Sequence, residues 1–287
     1  MTSVPTDLAL RPVALVGAGT LGRRIALMMA LRGGEVRITD PSAEQRAAAV
    51  AYVVQQLPGL VERTPDAVAG RVTAADDITS AVGDAWLVVE AVPERLELKR
   101  EVFGELDRVA PADAILASNS SSYPTSRFAD AVTRPHLLVN THFYMPPDRN
   151  AVEVMSCGLT DPKVVNLLLA VLPSYGLVPF EVRRESTGFI YNRVWAAIKR
   201  ESLAVVAEGV STPEEVDELF RMNLGADRGP FQRMDAVGLD VVLDIEEHYA
   251  AEREGLPEGP RRLLREMIAE GRLGVKSGRG FYDGYDT

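Results

Sequence analysis

Two groups of residues in this chain have types and spacings that could do chemistry. The first is the run VGAGTLGRRIALMMA, where Gly17, Gly19 and Gly22 form a G-x-G-x-x-G pattern. An apolar stretch at 13–16 precedes it, a long helical pattern follows, and Asp40 closes the next apolar run 18 residues after Gly22. In that setting each glycine has a steric task. Gly17 permits a tight turn, Gly19 lets backbone approach a pyrophosphate, and Gly22 allows a helix to pack closely on a strand. The helix start adds free N–H groups and a partial positive charge. Leu21, inside the loop, is counted with the positions that contact the cofactor. Asp40 is placed to accept hydrogen bonds from ribose hydroxyls and to repel a 2′-phosphate, which predicts NAD rather than NADP. Arg37 precedes the acid, and no arginine pair follows it to receive that phosphate. Glycines that only pack a strand against a helix are the plainer alternative.

The second group is His142, in VNTHFYMPP, with Glu153 eleven residues later on the following apolar run. An imidazole, with an ordinary pKa near 6.5, suits proton transfer at neutral pH. A carboxylate on one ring nitrogen would orient it and stabilise the imidazolium. Two further segments, VVEAVPERLELK at 88–99 and LASNSSSY at 116–123, end apolar runs with polar groups. Each residue also has a bland reading: a histidine that only makes a structural hydrogen bond, a solvated glutamate, a serine turn at 120–122. His136 and His248 have no evident partner, and Cys157 reads as an inert thiol.

The elements that would position these groups are legible as pattern. Short apolar runs at 13–16, 35–39, 86–90, 115–118, 137–141, 152–155 and 178–182 alternate with helical stretches. Such alternation predicts a doubly wound, mostly parallel sheet covered on both faces. After about residue 185 the pattern is helical only, with helices expected at 187–208, 230–251 and 260–270. Thr212-Pro213-Glu214-Glu215 reads as a helix start with a capping box. The expected domains are therefore 1–185, dinucleotide-binding, and 186–287, helical. Composition narrows the class further. The 41 acidic and 31 basic residues leave a formal charge of −10, which disfavours nucleic acid as a partner. No apolar run approaches the roughly 18–20 residues that span a bilayer, and no secretory signal is visible at the N-terminus. One cysteine and three histidines leave little for a disulfide or a metal centre. A cytoplasmic setting without metal or membrane is the expectation.

Over essentially its whole length the sequence resembles the L-3-hydroxyacyl-CoA dehydrogenase family. The resemblance rests on VGAGTLG, LVVEAVPERLELKREVFGELD, ILASNSSS, the histidine of THFYMPP, VEVM, TGFIYNRVW and the tail GRLGVKSGRGFYD. It implies an α/β Rossmann-type domain followed by an all-α C-terminal domain that commonly forms a homodimer. It also implies an NAD-dependent oxidoreductase of fatty acid metabolism, interconverting 3-hydroxyacyl and 3-ketoacyl compounds. On that pattern His142 takes the proton of the 3-hydroxyl and Glu153 orients and stabilises it. Ser121 hydrogen-bonds the reacting oxygen, and Asn192 completes the polar setting. Glu94, Lys99 and Asn119 match positions near the nicotinamide ribose, and Lys276 matches another cofactor-contacting position.

Two departures bear on the substrate. The family usually has asparagine three residues after the histidine, in HFFN or HPFN, whereas this chain has Met145, which supplies no amide. The segment after Asp40 carries one basic residue, Arg46, with Arg63 beyond it, where coenzyme A-binding members tend to place several. The acyl group could thus be carried by coenzyme A or by a carrier protein, or belong to a free hydroxy acid. Two other readings stand beside the leading one: a related dehydrogenase using Lys199 as acid–base group, and a non-catalytic NAD-binding protein.

Overall fold

The computed structural model describes residues 4–285 and divides into two compact units, one ending at Phe189 and the other starting at Ile190. The first unit holds strands β1 (Val13–Val16), β2 (Glu35–Thr39), β3 (Arg71–Ala74), β4 (Leu87–Glu90), β5 (Ile115–Ser118), β6 (Leu138–Met145), β7 (Arg149–Ser156) and β8 (Val178–Val182). Helices α1 (Thr20–Met29), α2 (Ala43–Arg63), α3 (Ile78–Val82), α4 (Leu96–Val109) and α5 (Pro162–Val171) connect them.

The sheet order is β3-β2-β1-β4-β5-β6-β7-β8. All neighbours are parallel except the β6–β7 hairpin. Strand residues alternate between two cores. Val13, Leu15, Val89, Ala117, Val139 and Val154 face one, while Ala14, Val16, Val88, Leu116 and Leu138 face the other. The apolar runs of the sequence locate every strand but β3, a polar edge strand. Chain direction diverges on either side of β1, leaving a crevice at the carboxyl ends of β1 and β4 where ligands of such sheets bind.

In the second unit α6 spans Tyr191–Ala207, α7 Pro213–Leu224, α8 Pro230–Val237, α9 Leu239–Glu252 and α10 Gly259–Ala269. The helix expected from 187 begins at Tyr191, because Gly188 and Phe189 both take positive φ, +72° and +53°. The helix expected over 230–251 is two, broken at Gly238, whose φ of +106° no α-helix accommodates. The α7 capping box is half formed. Thr212 accepts the Glu215 N–H at 3.4 Å, but the Glu215 carboxylate takes the Ser211 hydroxyl instead.

Two buried carboxylates tie this unit together. Asp217, 2% exposed, accepts the N–H groups of Phe231 and Gln232 at 2.8 and 2.9 Å and the Tyr282 hydroxyl at 2.9 Å. It thereby supplies the N-terminal cap that α8 lacks in its own sequence. Asp235 accepts the N–H groups of Phe281 and Tyr282 and the Tyr285 hydroxyl. Burial pushes its carboxyl above the usual range, against the pull of those bonds. The second glycine of GRGFYD has a steric reason, since a Cβ on Gly280 would fall on the Asp235 carboxylate. Asp217→Ala leaves two N–H groups without their acceptor and the Tyr282 phenol with only the Pro213 carbonyl, at 3.3 Å. It should destabilise the protein by about 2–4 kcal/mol, at about 1–3 kcal/mol per stranded buried group with partial rehydration, read as a lowered denaturant midpoint.

Candidate active site

The glycine loop joins β1 to α1 at the crevice. Gly17 has a φ of +110°, and a Cβ there would lie 2.5 Å from the carbonyl oxygen of Ala91, just past β4. A Cβ on Gly22 would overlap the Gly17 carbonyl oxygen, so helix and loop touch backbone to backbone. Gly19 differs: nothing lies within 4 Å of the position its Cβ would take. It caps α1 without any side-chain hydrogen bond, and the first turn carries no acid. The result is a helix start whose N–H groups face open space, the arrangement that receives a pyrophosphate. Asp40, at the end of β2, is oriented by the N–H groups of Ala18 and Ser42 at 3.0 and 2.9 Å. Its remaining lone pairs are those that accept ribose hydroxyls. These residues fit a dinucleotide.

Beyond the loop, β4 ends in Glu90, a fully buried carboxylate. It accepts the Val92 N–H at 2.8 Å, the Ser118 hydroxyl at 2.6 Å and the Lys99 ammonium at 2.9 Å. Lys99 also pairs with Glu94 at 3.1 Å, so one buried cation is shared by two glutamates. Burial works to raise the Glu94 carboxyl, but Lys99, the Ser120 hydroxyl and the Ser122 N–H outweigh it and hold it below the usual range. Glu90 has no role in the sequence reading, although a carboxylate closing an apolar strand nine residues before a lysine is a signal for such a pair.

His142 is positioned by strand length. Pairing of β5 with β6 stops at Ser118–Asn140, but β6 runs on to Met145 against β7 alone. Asn119 substitutes for the missing strand, its side-chain carbonyl accepting the Phe143 N–H at 2.9 Å. In that extension His142 lies directly opposite Glu153, and its Nδ1 meets Glu153 Oε2 at 2.9 Å. The ring is 6% exposed, lying 5.3 Å from Phe189 and 4.6 Å from Tyr144 between centroids. With Nδ1 engaged, Nε2 is the ring nitrogen left for a substrate. Tyr144, which lies beyond the expected run 137–141 and has no role in the sequence reading, donates its hydroxyl to the same Glu153 oxygen at 2.8 Å.

Leu21, Glu94, Lys99, Asn119, Ser121 and His142 line one cavity of about 120 Å³. Gly17, Gly19 and Gly22 belong to the loop that leads to Leu21, Asp40 follows β2 and accepts the Ala18 N–H of that loop, and Glu153 holds the histidine from the far ring nitrogen. Two sequence-predicted residues belong to the second unit: Asn192 in the first turn of α6, and Lys276, ion-paired with Asp240. Lys199 is also there, buried within α6, where burial pushes its amine below the usual range. Among the described residues, no group of three or more His, Cys, Asp or Glu side chains could hold a metal ion.

The family model described as 3-hydroxyacyl-CoA dehydrogenase, NAD binding domain, matches residues 12–186. The model described as 3-hydroxyacyl-CoA dehydrogenase, C-terminal domain, matches residues 188–284. The chain belongs to the 3-hydroxyacyl-CoA dehydrogenase family. It is an NAD-dependent oxidoreductase acting on CH–OH, interconverting 3-hydroxyacyl and 3-ketoacyl compounds. Among its relatives is a probable 3-hydroxybutyryl-CoA dehydrogenase of Bacillus subtilis, 33% identical and covering 96% of this chain and 97% of the relative. Another is a 5-formyl-3-hydroxy-2-methylpyridine 4-carboxylate 5-dehydrogenase of Mesorhizobium japonicum, 31% identical over 95% of this chain and 90% of the relative. The crystal structure of (S)-3-hydroxybutyryl-CoA dehydrogenase from Ralstonia eutropha is similar at a TM-score of 0.85 and 29% identity, covering 97% of this chain and all of that one.

Proposed function

We propose that this dehydrogenase acts on a short 3-hydroxyacyl-CoA, with His142 as the acid–base group and Glu153 as its orienting carboxylate. The observation that carries the reading is the His142–Glu153 pair, which leaves Nε2 toward a cavity beside the glycine loop. NAD bound at that loop supplies the hydride acceptor. His142 takes the proton of the substrate hydroxyl as the carbonyl forms, and returns it in the opposite direction. Glu153 stabilises the imidazolium in between. Ser121, on the cavity wall, donates to the reacting oxygen. Glu94, Lys99 and Asn119 hold the ribose of the nicotinamide end. Asn192 and Lys276 keep the substrate- and cofactor-contacting roles of the family pattern.

The relatives named for 3-hydroxybutyryl-CoA support the thioester. A free hydroxy acid is the second reading, and it has its own observations. Arg46, the basic residue that follows Asp40, is engaged with the Asp40 carbonyl and the Asp76 carboxylate. Met145, 38% exposed, offers no amide. The relative from Mesorhizobium is named for a pyridine carboxylate. NADH oxidation with acetoacetyl-coenzyme A and with acetoacetate decides. Turnover of the thioester alone bears out the first reading, and preference for the free acid moves the protein to the second. NADH binding without turnover of any 3-ketoacyl compound would make it a non-catalytic member. Fatty acid metabolism and a cytoplasmic setting accompany the first reading. A homodimer formed through the second unit is also proposed, since Leu219, Met222 and Leu224 on α7 are large exposed apolar side chains. No helix among the described residues is long and apolar enough to cross a membrane.

A further inference from the structure

The geometry points to Tyr144 as a positioning residue that sets how readily His142 holds its proton, acting through Glu153. This inference rests on the proposed pairing of His142 with Glu153. Tyr144 follows His142 by two residues on β6, so both side chains lie on one face of the strand. The β6–β7 register shifts between Phe143 and Met145, with Tyr144 at the irregularity, and such a shift re-aims a side chain. The Tyr144 hydroxyl and the His142 Nδ1 then converge on one carboxylate oxygen, at 2.8 and 2.9 Å. The two rings lie against each other, 4.6 Å apart and inclined by 52°.

A phenol with an ordinary pKa near 10 stays a donor across the working pH range. Donation to a carboxylate favours its charged form and spends part of its acceptor strength. The histidine therefore faces a carboxylate that is kept ionised but pulls less on the imidazolium than it would without the phenol. That combination fixes the ring while moderating the pull of the carboxylate on its proton. The other charged groups at the cavity, Glu90 and Glu94 from the end of β4 and Lys99 from α4, are paired with one another. Removing the Tyr144 hydroxyl leaves them unchanged.

The test is the pH dependence of kcat/KM for oxidation of a 3-hydroxyacyl substrate by wild type, Tyr144→Phe, Glu153→Gln and the double variant. Without the phenol the carboxylate holds the imidazolium more firmly, so the base becomes available only at higher pH. Tyr144→Phe should move the acid limb to higher pH by about half a unit or more, with NAD affinity unchanged. In the Glu153→Gln background the same substitution should move it no further. Where turnover is too slow for a profile, NMR titration of the imidazole signals reads the same displacement, and the chain has only three histidines. A profile superimposable on wild type overturns the inference even if kcat falls, since a packing role alone would produce that. An undiminished shift without Glu153 overturns it as well. Near wild-type turnover by His142→Ala, in the same assay, instead removes the underlying His142–Glu153 reading.

Discussion

Replacing His142 by alanine should lower kcat by about two to four decades, the scale of losing a positioned general acid–base group. In free energy that is about 3–5.5 kcal/mol of transition-state stabilisation. The expectation follows from how completely the structure commits this ring. Its Nδ1 is taken by Glu153, the Tyr144 and Phe189 rings lie against it at a tilt, and it lines the cavity beside the glycine loop. No other histidine is built into that cavity. The remaining wall residues cannot substitute. Lys99 is held between two carboxylates, and Glu94 is kept ionised below its usual range, so neither is poised to exchange a proton near neutrality. The loss should fall on kcat, with NAD affinity measured by fluorescence titration staying within a few-fold of wild type, because the loop and Asp40 are untouched. A truncated ring also leaves a hole among aromatic side chains, so a thermal midpoint must accompany the kinetics. Turnover near the wild-type value in a folded His142→Ala protein would end the acid–base assignment.

What could be read from the sequence, and what could not, divides along physical lines. Gly17 and Gly22 announce themselves because their constraint is local: backbone passes where a Cβ would sit, and only glycine meets it. Buried strands such as LVVE in β4 are legible because both faces are covered and every residue is apolar up to the terminal acid. By contrast β3, with sequence RVTA at the sheet edge, is partly exposed throughout and carries no such run. The break between α8 and α9 is equally hidden. Helical periodicity continues through it, and only the backbone of Gly238, packed near Asp240 and Lys276, shows that the chain turns. Glu90 and Tyr144 are missed for a different reason. Tyr144 lies past the expected run 137–141, and its polar partner is set by strand register with β7, which no spacing along β6 reveals. The His142–Glu153 pair was open to inference as an acid and a base on successive runs. That they face each other directly is a product of a β6 that outruns β5.

The glycine loop yields the second large effect, and two of its glycines, three residues apart, separate its two functions. Alanine at Gly22 has nowhere to go, since its Cβ would overlap the Gly17 carbonyl oxygen, a backbone atom that cannot rotate aside. Helix α1 must lift from the loop, disturbing the packing of Ile25, Leu27 and Met28, all buried in the core on that face of the sheet. Overpacking of this kind costs typically about 1–3 kcal/mol. Gly22→Ala should therefore lower the thermal midpoint of the protein without any cofactor present, and weaken NAD as a consequence. Alanine at Gly19 should do the reverse. Its Cβ enters open space, and its φ of −66° is comfortable for any residue. The unliganded protein should melt as wild type does. The methyl group would instead occupy the approach to the N–H groups at the start of α1. Losing one charge-assisted hydrogen bond there, worth about 1.5–3 kcal/mol, should weaken NAD roughly 10- to 100-fold. Calorimetric titration and thermal melts of the two variants, with and without NAD, measure both effects. Equal NAD affinity in Gly19→Ala and wild type would mean that the pyrophosphate does not sit at this helix start. An unchanged melting temperature in Gly22→Ala would mean that the loop can yield where the backbone contact says it cannot.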